Sequence, residues 1–369
     1  LYHLIFVVKI KNNMKVCILG SGLSALTLAK ALVNENIYVD MFTKKKTNNT
    51  NLSRTLGISK SNVEFYNNHI VNINNIIWKI KKIEIFTDNL KNEKLLNFED
   101  GNDEIFSIIK NFDLLQILEK NLFNNKYFSK INSTIKINFL KNYNLVINTD
   151  NFNKITKKYF SKKLIKKYNS FAYTTIIEHE KCKNYVATQI FTKKGPLAFL
   201  PISNNETSIV YSMNNLSYQS EKTVKHLISN YNLRYKIKKI NKIHFFELNS
   251  LGLRSYYDGK ILAFGDLLHK IHPLAGQGFN MTIRDIKILL SIIKEKKNLG
   301  LPIDSSVNSE FQKRAKHKNL IFSNGIDLIY EIFNIERKIN NNIISKSIQI
   351  LGKNLSINKM FTKIADKGL

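Results

Sequence analysis

Gly20-Ser21-Gly22-Leu23-Ser24-Ala25 joins the apolar run Val16-Cys17-Ile18-Leu19 to a helical stretch over residues 23–33, and a second strand-like run follows at 38–42. A strand that enters a helix through glycines and then returns as strand is a βαβ unit, which commits this part of the chain to a parallel sheet with a crossover helix. Without Cβ atoms the turn can bring backbone N–H groups against a pyrophosphate, and the helix N-terminus adds a favourable dipole. Gly20 and Gly22 supply the turn, and Ala25 takes the third position, where a small side chain lets helix and strand pack closely. The same turn can also be purely structural. The acid that usually ends the second strand and binds a ribose is missing: Thr43 stands there, and Asp40 points the other way if the strand alternates.

A second constellation lies near the end. Ile261-Leu262-Ala263-Phe264 is a fully apolar strand that runs into Gly265-Asp266-Leu267-Leu268-His269-Lys270-Ile271-His272-Pro273-Leu274-Ala275-Gly276-Gln277-Gly278-Phe279-Asn280-Met281. A carboxylate after a buried strand can accept hydrogen bonds from a sugar-like polyol. A Gly-Gln-Gly turn that opens a helix can lay N–H groups along a flat polar ring, and the dipole of that helix suits an electron-rich reduced flavin. The two glycine-rich ends are therefore read as halves of one flavin site. His269 and His272 have the i, i+3 spacing of a metal pair, but no third ligand lies nearby, so packing or loop-ordering histidines and no metal are expected.

At 369 residues the chain has length for two or so domains, and 43% hydrophobic with 11% aromatic residues suffices to fill their cores. Lys and Arg number 57 against 28 Asp and Glu, a formal charge of +29. The lysines are spread along the chain with no aromatic-basic recognition motif. A nucleic-acid partner is therefore not expected, and a basic face on an anionic bilayer surface fits better. Cys17 and Cys182 are the two cysteines, which implies no disulfide framework and fits a reducing cytoplasm. No run reaches about 18 uninterrupted apolar residues, so membrane contact would be peripheral. A cytoplasmic protein, or one peripheral to the inner membrane, is expected. Residues 1–13, before Met14, are read as an upstream extension.

Along the chain, short apolar segments around Trp78, 83–86 and 95–98 predict strands of a more antiparallel region, and a helix is predicted over 112–123. Strands are expected at 135–140 and 145–147, then sheet from about 170 to 213, broken at Pro196 and Pro201. A helix follows at about 281–296, with Ile283, Ile286, Leu289, Leu290 and Ile293 on one stripe, and two or three amphipathic helices over 304–369. Lys44-Lys45-Lys46 and Asn340-Asn341-Asn342 read as solvated loops or faces. The expected architecture is α/β. A discontinuous Rossmann-like FAD-binding domain (14–75, 110–160 and 255–300) interleaves with a mainly antiparallel-sheet substrate domain (76–109 and 161–254) and is followed by a C-terminal helical region (301–369).

At these residues the chain resembles the para-hydroxybenzoate-hydroxylase-like FAD-dependent monooxygenases, on the ubiquinone-biosynthesis hydroxylase branch. The likeness extends to Arg54-Thr55-Leu56-Gly57-Ile58-Ser59, the Trp78 region, Phe191, the stretch 195–201 and the tail with Arg314, Asp327 and Phe333. The resemblance implies an FAD held at its adenine-diphosphate end by Gly20, Gly22 and Ala25, and at its ribityl chain by Asp266 after Gly265. Gly276, Gln277, Gly278 and Asn280 would flank the isoalloxazine. Arg54 looks like the family arginine near the phosphates, where a guanidinium fork suits an anion; a surface arginine is the alternative. Phe199 and Pro201 look like substrate-side wall residues, with core packing the alternative. NADH or NADPH would reduce the flavin and O2 would supply the oxygen that hydroxylates a phenol, so the cofactor carries the hard chemistry and no catalytic acid or base is named.

Three positions depart from the family pattern. Thr43 stands for the ribose acid, Asp150-Asn151 for an Asp-Gly turn, and Leu267-Leu268 for a pair of alanines, crowding a place where backbone would approach ligand. Asn tolerates a left-handed conformation, so the turn at 151 can survive. The functional expectation is hydroxylation of an aromatic ring of a polyprenylated ubiquinone-biosynthesis intermediate. The departures leave a second reading, a non-catalytic FAD-binding partner subunit of a quinone-biosynthesis complex.

Overall fold

The computed structural model describes residues 14–43, 53–90, 93–99, 103–214, 218–272, 277–339 and 343–352. Lys44–Lys46 and Asn340–Asn342, read as loops, lie outside them, as do the extension 1–13 and the tail from 353. Three sheets organise the chain. The first comprises β1 (Lys15–Leu19), β2 (Tyr38–Phe42), β8 (Phe128–Ile131), β9 (Leu145–Asn148), β16 (Tyr257–Asp258) and β17 (Ile261–Ala263), in the order β16-β17-β9-β1-β2-β8. All its pairings are parallel except that of β16 with β17. Parallel strands are covered on both faces and so read as unbroken apolar runs. Val16, Cys17, Ile18 and Leu19 are all buried, as are Leu145, Val146 and Ile147 and then Ile261, Leu262 and Ala263. Burial pushes the Cys17 thiol well above its ordinary range, with the charge of Asp40 acting in the same direction.

Against this sheet lies α1 (Leu23–Asn34), and on α1 pack α3 (Asn111–Phe123) and α6 (Gly278–Asn298). Helix α1 is apolar nearly all round because it packs on β1, β2, α3 and α6 together. Burial of Leu26, Leu28 and Leu32 stabilises by about 1.5–3 kcal/mol each. The chain leaves α1 through Asn36, whose φ of 58° is the left-handed exit that asparagine tolerates.

The second sheet holds β5 (Lys82–Thr87), β6 (Lys94–Glu99), β10 (Lys163–His179), β11 (Val186–Thr192), β12 (Gly195–Pro201), β13 (Glu206–Asn214), β14 (Ile237–Ile240), β15 (His244–Leu253) and β18 (His269–Lys270). Their order is β18-β15-β10-β13-β12-β11-β5-β6, with β14 beside β10. The pairings are antiparallel except β11 with β5. The break expected at the prolines does not occur. Pro196 and Pro201 lie near the two ends of β12, opposite Phe191 and Thr207, where a missing N–H costs the ladder least. Helix α5 (Glu221–Asn230) covers one face of this sheet over Tyr173, Ile177, Phe199 and Tyr211, and its start is capped by the Ser220 hydroxyl, which accepts from the Thr223 N–H at 3.2 Å.

A third sheet joins β3 (Thr55–Ser59), β7 (Phe106–Lys110) and β4 (Ile77–Ile80), so the segment 76–109 divides between two sheets. Two short helices, α2 (Lys60–His69) and α4 (Lys154–Tyr159), follow β3 and β9. Residues 135–140, expected as a strand, lie instead partly in a 3-10 turn over Ile137–Asn142. Ile137 and Phe139 face solvent at 42% and 56% exposure, so the run lacks the one-sided burial that fixes a strand.

Two helices close the described chain, α7 (Ser305–Ile339) and α8 (Ile343–Gly352). Arg314 donates a two-pronged pair of bonds to Glu295 of α6 at 2.8 and 2.7 Å. Further along α7, Asp327 accepts from the Tyr168 hydroxyl and Phe333 stacks on Phe191 with ring centres 3.6 Å apart. The three tail residues singled out in the sequence thus fasten α7 to α6 and to the second sheet. No helix among the described residues is long and apolar enough to cross a membrane.

Candidate functional site

A cavity of about 540 Å³ opens where the ends of β1 and β9, the starts of α1 and α6, β3 and one face of the second sheet meet. Ser21, Gly22, Ser24, Arg54, Asp266 and Gly278 line its polar side. Ala198, Leu200, Val210, Phe246 and Leu248 line its apolar side.

The first glycine turn divides its labour. Gly20 has φ +117°, donates its N–H to the Phe42 carbonyl at 3.0 Å, and lies so close to β9 that a Cβ would fall 2.3 Å from Thr149 Oγ1. Gly22 begins α1 with no side chain capping it, and a Cβ there would meet nothing within 4 Å. The free N–H groups of that helix start therefore adjoin the cavity. Ala25 is fully buried in the core and does not reach the cavity, so its part is close packing. Arg54 is exposed on the same wall.

At the end of β2 no carboxylate is free. Thr43 is buried and its hydroxyl donates to Asn132 Oδ1 at 3.0 Å, while Asp40 holds Lys15 and the Tyr143 hydroxyl, each at 2.7 Å. The turn after β9 survives the loss of glycine differently from the expectation, since Asn151 is not among the residues at positive φ. Side-chain bonds shape it instead: Asn148 Oδ1 accepts from the Asp150 N–H at 3.1 Å and from Asn153 Nδ2 at 2.8 Å, and Asp150 Oδ1 accepts from the Phe152 N–H at 2.8 Å.

Gly265, at φ +63°, follows β17 and packs on the first turn of α1; a Cβ there would lie 2.7 Å from Ser24. This throws the exposed Asp266 into the cavity wall. Leu267 and Leu268 do not crowd the cavity, because both side chains are fully buried in the core of the first sheet. His269 bonds Asp285 Oδ2 at 2.6 Å through Nε2, and Asn319 donates to Asp285 Oδ1 at 3.0 Å. Burial alone would lower the His269 pKa, but the Asp285 charge and hydrogen bond, with the Asp266 charge, outweigh it and leave it raised above 6.5. His272 is buried against the rings of Tyr168 and Tyr330, at 5.0 and 4.5 Å, and burial, with Lys166 nearby, lowers its pKa to about 3. Both histidines are thus held by protein side chains, His269 by Asp285 and His272 by the two tyrosine rings, and His269 also lines the cavity. Among the described residues no group of three metal-ligating side chains occurs.

Gly276 lies outside the described residues. Gln277 is buried as the residue before α6, and Gly278 lines the cavity with open space where a Cβ would be. Asn280 faces away from the cavity. Its Oδ1 accepts from the Ser59 N–H at 3.0 Å and from Asn62 at 2.9 Å, and its Nδ2 donates to the Gly57 carbonyl at 3.1 Å and to Gln277 Oε1 at 3.3 Å. The amide is saturated by the protein and staples α6 to β3, a positioning task. Asn280→Ala is expected to lower unfolding free energy by about 3 kcal/mol, because it leaves buried backbone groups unpaired. Urea unfolding checks this, and a loss under about 1 kcal/mol would count against the staple.

Phe199 and Pro201 are the residues that the fold moves. Alternation along β12 turns Ala198 and Leu200 to the cavity and sends Phe199 to the opposite face, into the core with Tyr235 and under α5. Pro201 is buried and likewise does not line the cavity. Sequence reasoning missed Thr174, Ser208 and Phe246, which do line it.

Two helix starts without a capping side chain, an arginine and a carboxylate thus surround a cavity with a broad apolar floor. Solved structures identify the fold around it. The HpxO of Klebsiella pneumoniae in complex with FAD and uric acid superposes with TM-score 0.74 at 11% identity, covering 96% of this chain and 98% of that one. The p-nitrophenol 4-monooxygenase of Pseudomonas putida superposes at 0.75 and 10% identity, covering 96% and 100%. The chain has the fold of the para-hydroxybenzoate-hydroxylase-like FAD-dependent monooxygenases.

Sequence comparison adds partial matches to hydroxylases of ubiquinone biosynthesis. Residues 173–298 match the FAD binding domain family. The chain is 32% identical over 160 residues to the 3-demethoxyubiquinol 3-hydroxylase of Escherichia coli, which covers 39% of each chain. It is 25% identical over 178 residues to a ubiquinone hydroxylase of Rhodospirillum rubrum, covering 45% of this chain and 41% of that protein. These matches span about two fifths of each relative's length.

Proposed function

We propose that the chain binds FAD in this cavity and hydroxylates an aromatic ring of a polyprenylated ubiquinone precursor, using NADH or NADPH and O2. The observation that carries the reading is the convergence of two uncapped helix starts, at Gly22 and Gly278, on one cavity whose remaining floor is apolar. FAD fits the residues present: at both glycines backbone faces open space that a side chain would fill, and Arg54 and Asp266 are both exposed on the wall. The start of α1 and Arg54 suit the pyrophosphate, Asp266 the hydroxyls of the ribityl chain, and the start of α6 with Gln277 the ring. Gly20, Ala25, Gly265 and Asn280 hold these groups in place from behind. Bound there, the flavin supplies electron transfer and oxygen activation. The apolar side chains of β12, β13 and β15 exclude water and seat an aromatic ring.

A greasy substrate explains a basic surface better than nucleic acid does, since lysine-rich protein on an anionic bilayer meets such a molecule where it dissolves. A yellow purified protein that consumes NAD(P)H and O2 in proportion to hydroxylated product, only with a quinone precursor, is the expected result. Protein that cannot be reconstituted with FAD would overturn the reading. Flavin that binds but is never reduced by NADH or NADPH would instead favour a partner subunit of a quinone-biosynthesis complex, consistent with Thr43 in place of a ribose acid.

A further inference from the structure

The cavity floor is a patch of the second sheet, and its strand register shows which side chains sit together. Thr174 of β10 stands opposite Val210 of β13, and Val210 stands opposite Ala198 of β12. On the other side Ala172 stands opposite Phe246 of β15, and one step along β13 Ser208 stands opposite Leu200. Across the sheet this row runs His244 of β15, Thr174, Val210, Ala198 and Gln189 of β11; of these Thr174, Val210 and Ala198 line the cavity, and Thr174 is the polar one of the three. It is 6% exposed, it lines the cavity, and its hydroxyl has no hydrogen-bond partner among the described residues. Of the buried unpaired side-chain groups among those residues, it alone lines the cavity. The neighbouring hydroxyls differ: Ser208 Oγ and Thr55 Oγ1 satisfy each other at 2.7 Å.

A β-branched side chain suits this strand, and valine would fill the same space without a polar atom. A buried hydroxyl with no partner costs free energy that valine would avoid. We propose that Thr174 is a positioning residue that hydrogen-bonds an oxygen on the aromatic ring of the substrate, so that the apolar floor accepts the ring in one orientation. The inference rests on the hydroxylase reading and sharpens it, because it requires that the substrate carry a ring hydroxyl or ring oxygen when it binds. Thr174 holds that oxygen and takes no part in proton transfer.

The test uses the FAD-loaded full chain and two near-isosteric probes, 4-butylphenol and 4-butyltoluene, with dissociation constants read from the change in flavin absorbance. Thr174→Val should lower the phenol-over-toluene preference about tenfold, the effect of removing one buried hydrogen bond to a ligand hydroxyl. Thr174→Ser should keep that preference within about twofold; in thermal unfolding Thr174→Val, which loses an unpaired buried hydroxyl, should melt no lower than wild type, and Thr174→Ser, which loses a buried methyl group, slightly lower. An unchanged preference in Thr174→Val, with both probes binding, would overturn the inference and leave the hydroxylase reading standing. Wild-type protein that takes up FAD but binds neither probe would overturn both.

Discussion

Gly20→Ala is expected to abolish tight FAD binding and to destabilise the chain, whereas Gly22→Ala should abolish binding alone. At Gly20 the backbone sits at φ +117°, where an L side chain is strained by about 1–3 kcal/mol. The new Cβ would also drive into Thr149 Oγ1, 2.3 Å away, whose hydroxyl donates to the Leu19 carbonyl at 2.9 Å. The turn must open to relieve both, and about 3 kcal/mol taken up at the cradle corresponds to roughly 100-fold weaker binding. At Gly22 φ is −75° and no protein atom lies within 4 Å of the added Cβ, so the apoprotein should unfold as wild type does. Its methyl group would instead occupy the space where the phosphates approach. Fluorescence titration with FAD and urea unfolding of the apoproteins separate the two effects. Wild-type FAD affinity in Gly22→Ala would show that the start of α1 is not the cradle.

The second large effect is at Asp285. Its carboxylate is fully buried, bonded to His269 on one oxygen and Asn319 on the other, and it joins α6 both to the loop that carries Asp266 and to α7. Asp285→Asn leaves a buried histidine without its counter-charge, and breaking a buried pair in this way costs about 3–5 kcal/mol. The pH dependence carries a sign. Because the folded His269 pKa is raised, the pair's stabilisation is fully present below the ordinary value of 6.5 and fades as pH rises through the raised value. The stability difference between wild type and Asp285→Asn should therefore be widest in mild acid and shrink toward alkaline pH. A difference that is flat with pH would show that His269 stays neutral.

The parts of this fold that were legible in sequence are those where one physical requirement acts alone. Val16 to Leu19 before Gly20, and Ile261 to Ala263 before Gly265, combine burial with a turn at positive φ that side chains rarely make, and the structure brings the residues that follow, Gly22 and Asp266, to one cavity. Alternation fails where a strand is covered on both faces. Almost every residue of β12 is buried, so nothing in its sequence says that Ala198 and Leu200, rather than Phe199 and Pro201, meet the cavity. Asn280 was misplaced for another reason: the Gly-Gln-Gly-Phe-Asn run looks like ligand chemistry, but the partners that saturate its amide, among them Gly57, Ser59 and Asn62, lie more than 200 residues away in sequence. Thr174 needed the register of β10, β13 and β12 before its place beside Val210 and Ala198 on the cavity floor could be seen.

The order of strands in the first sheet has a consequence for synthesis. β9 lies between β1 and β17, and β17 is made more than 100 residues after β9. Until residues 261–263 leave the ribosome, β9 presents an unpaired apolar edge, the kind of surface on which nascent chains associate wrongly. The turn at Gly22, proposed to cradle the phosphates, can be in place early, but Asp266 and Gly278 arrive with the last third of the chain. A chain stalled near residue 254 would thus carry half a cofactor site beside an open edge, which makes it a natural client for chaperones and proteases.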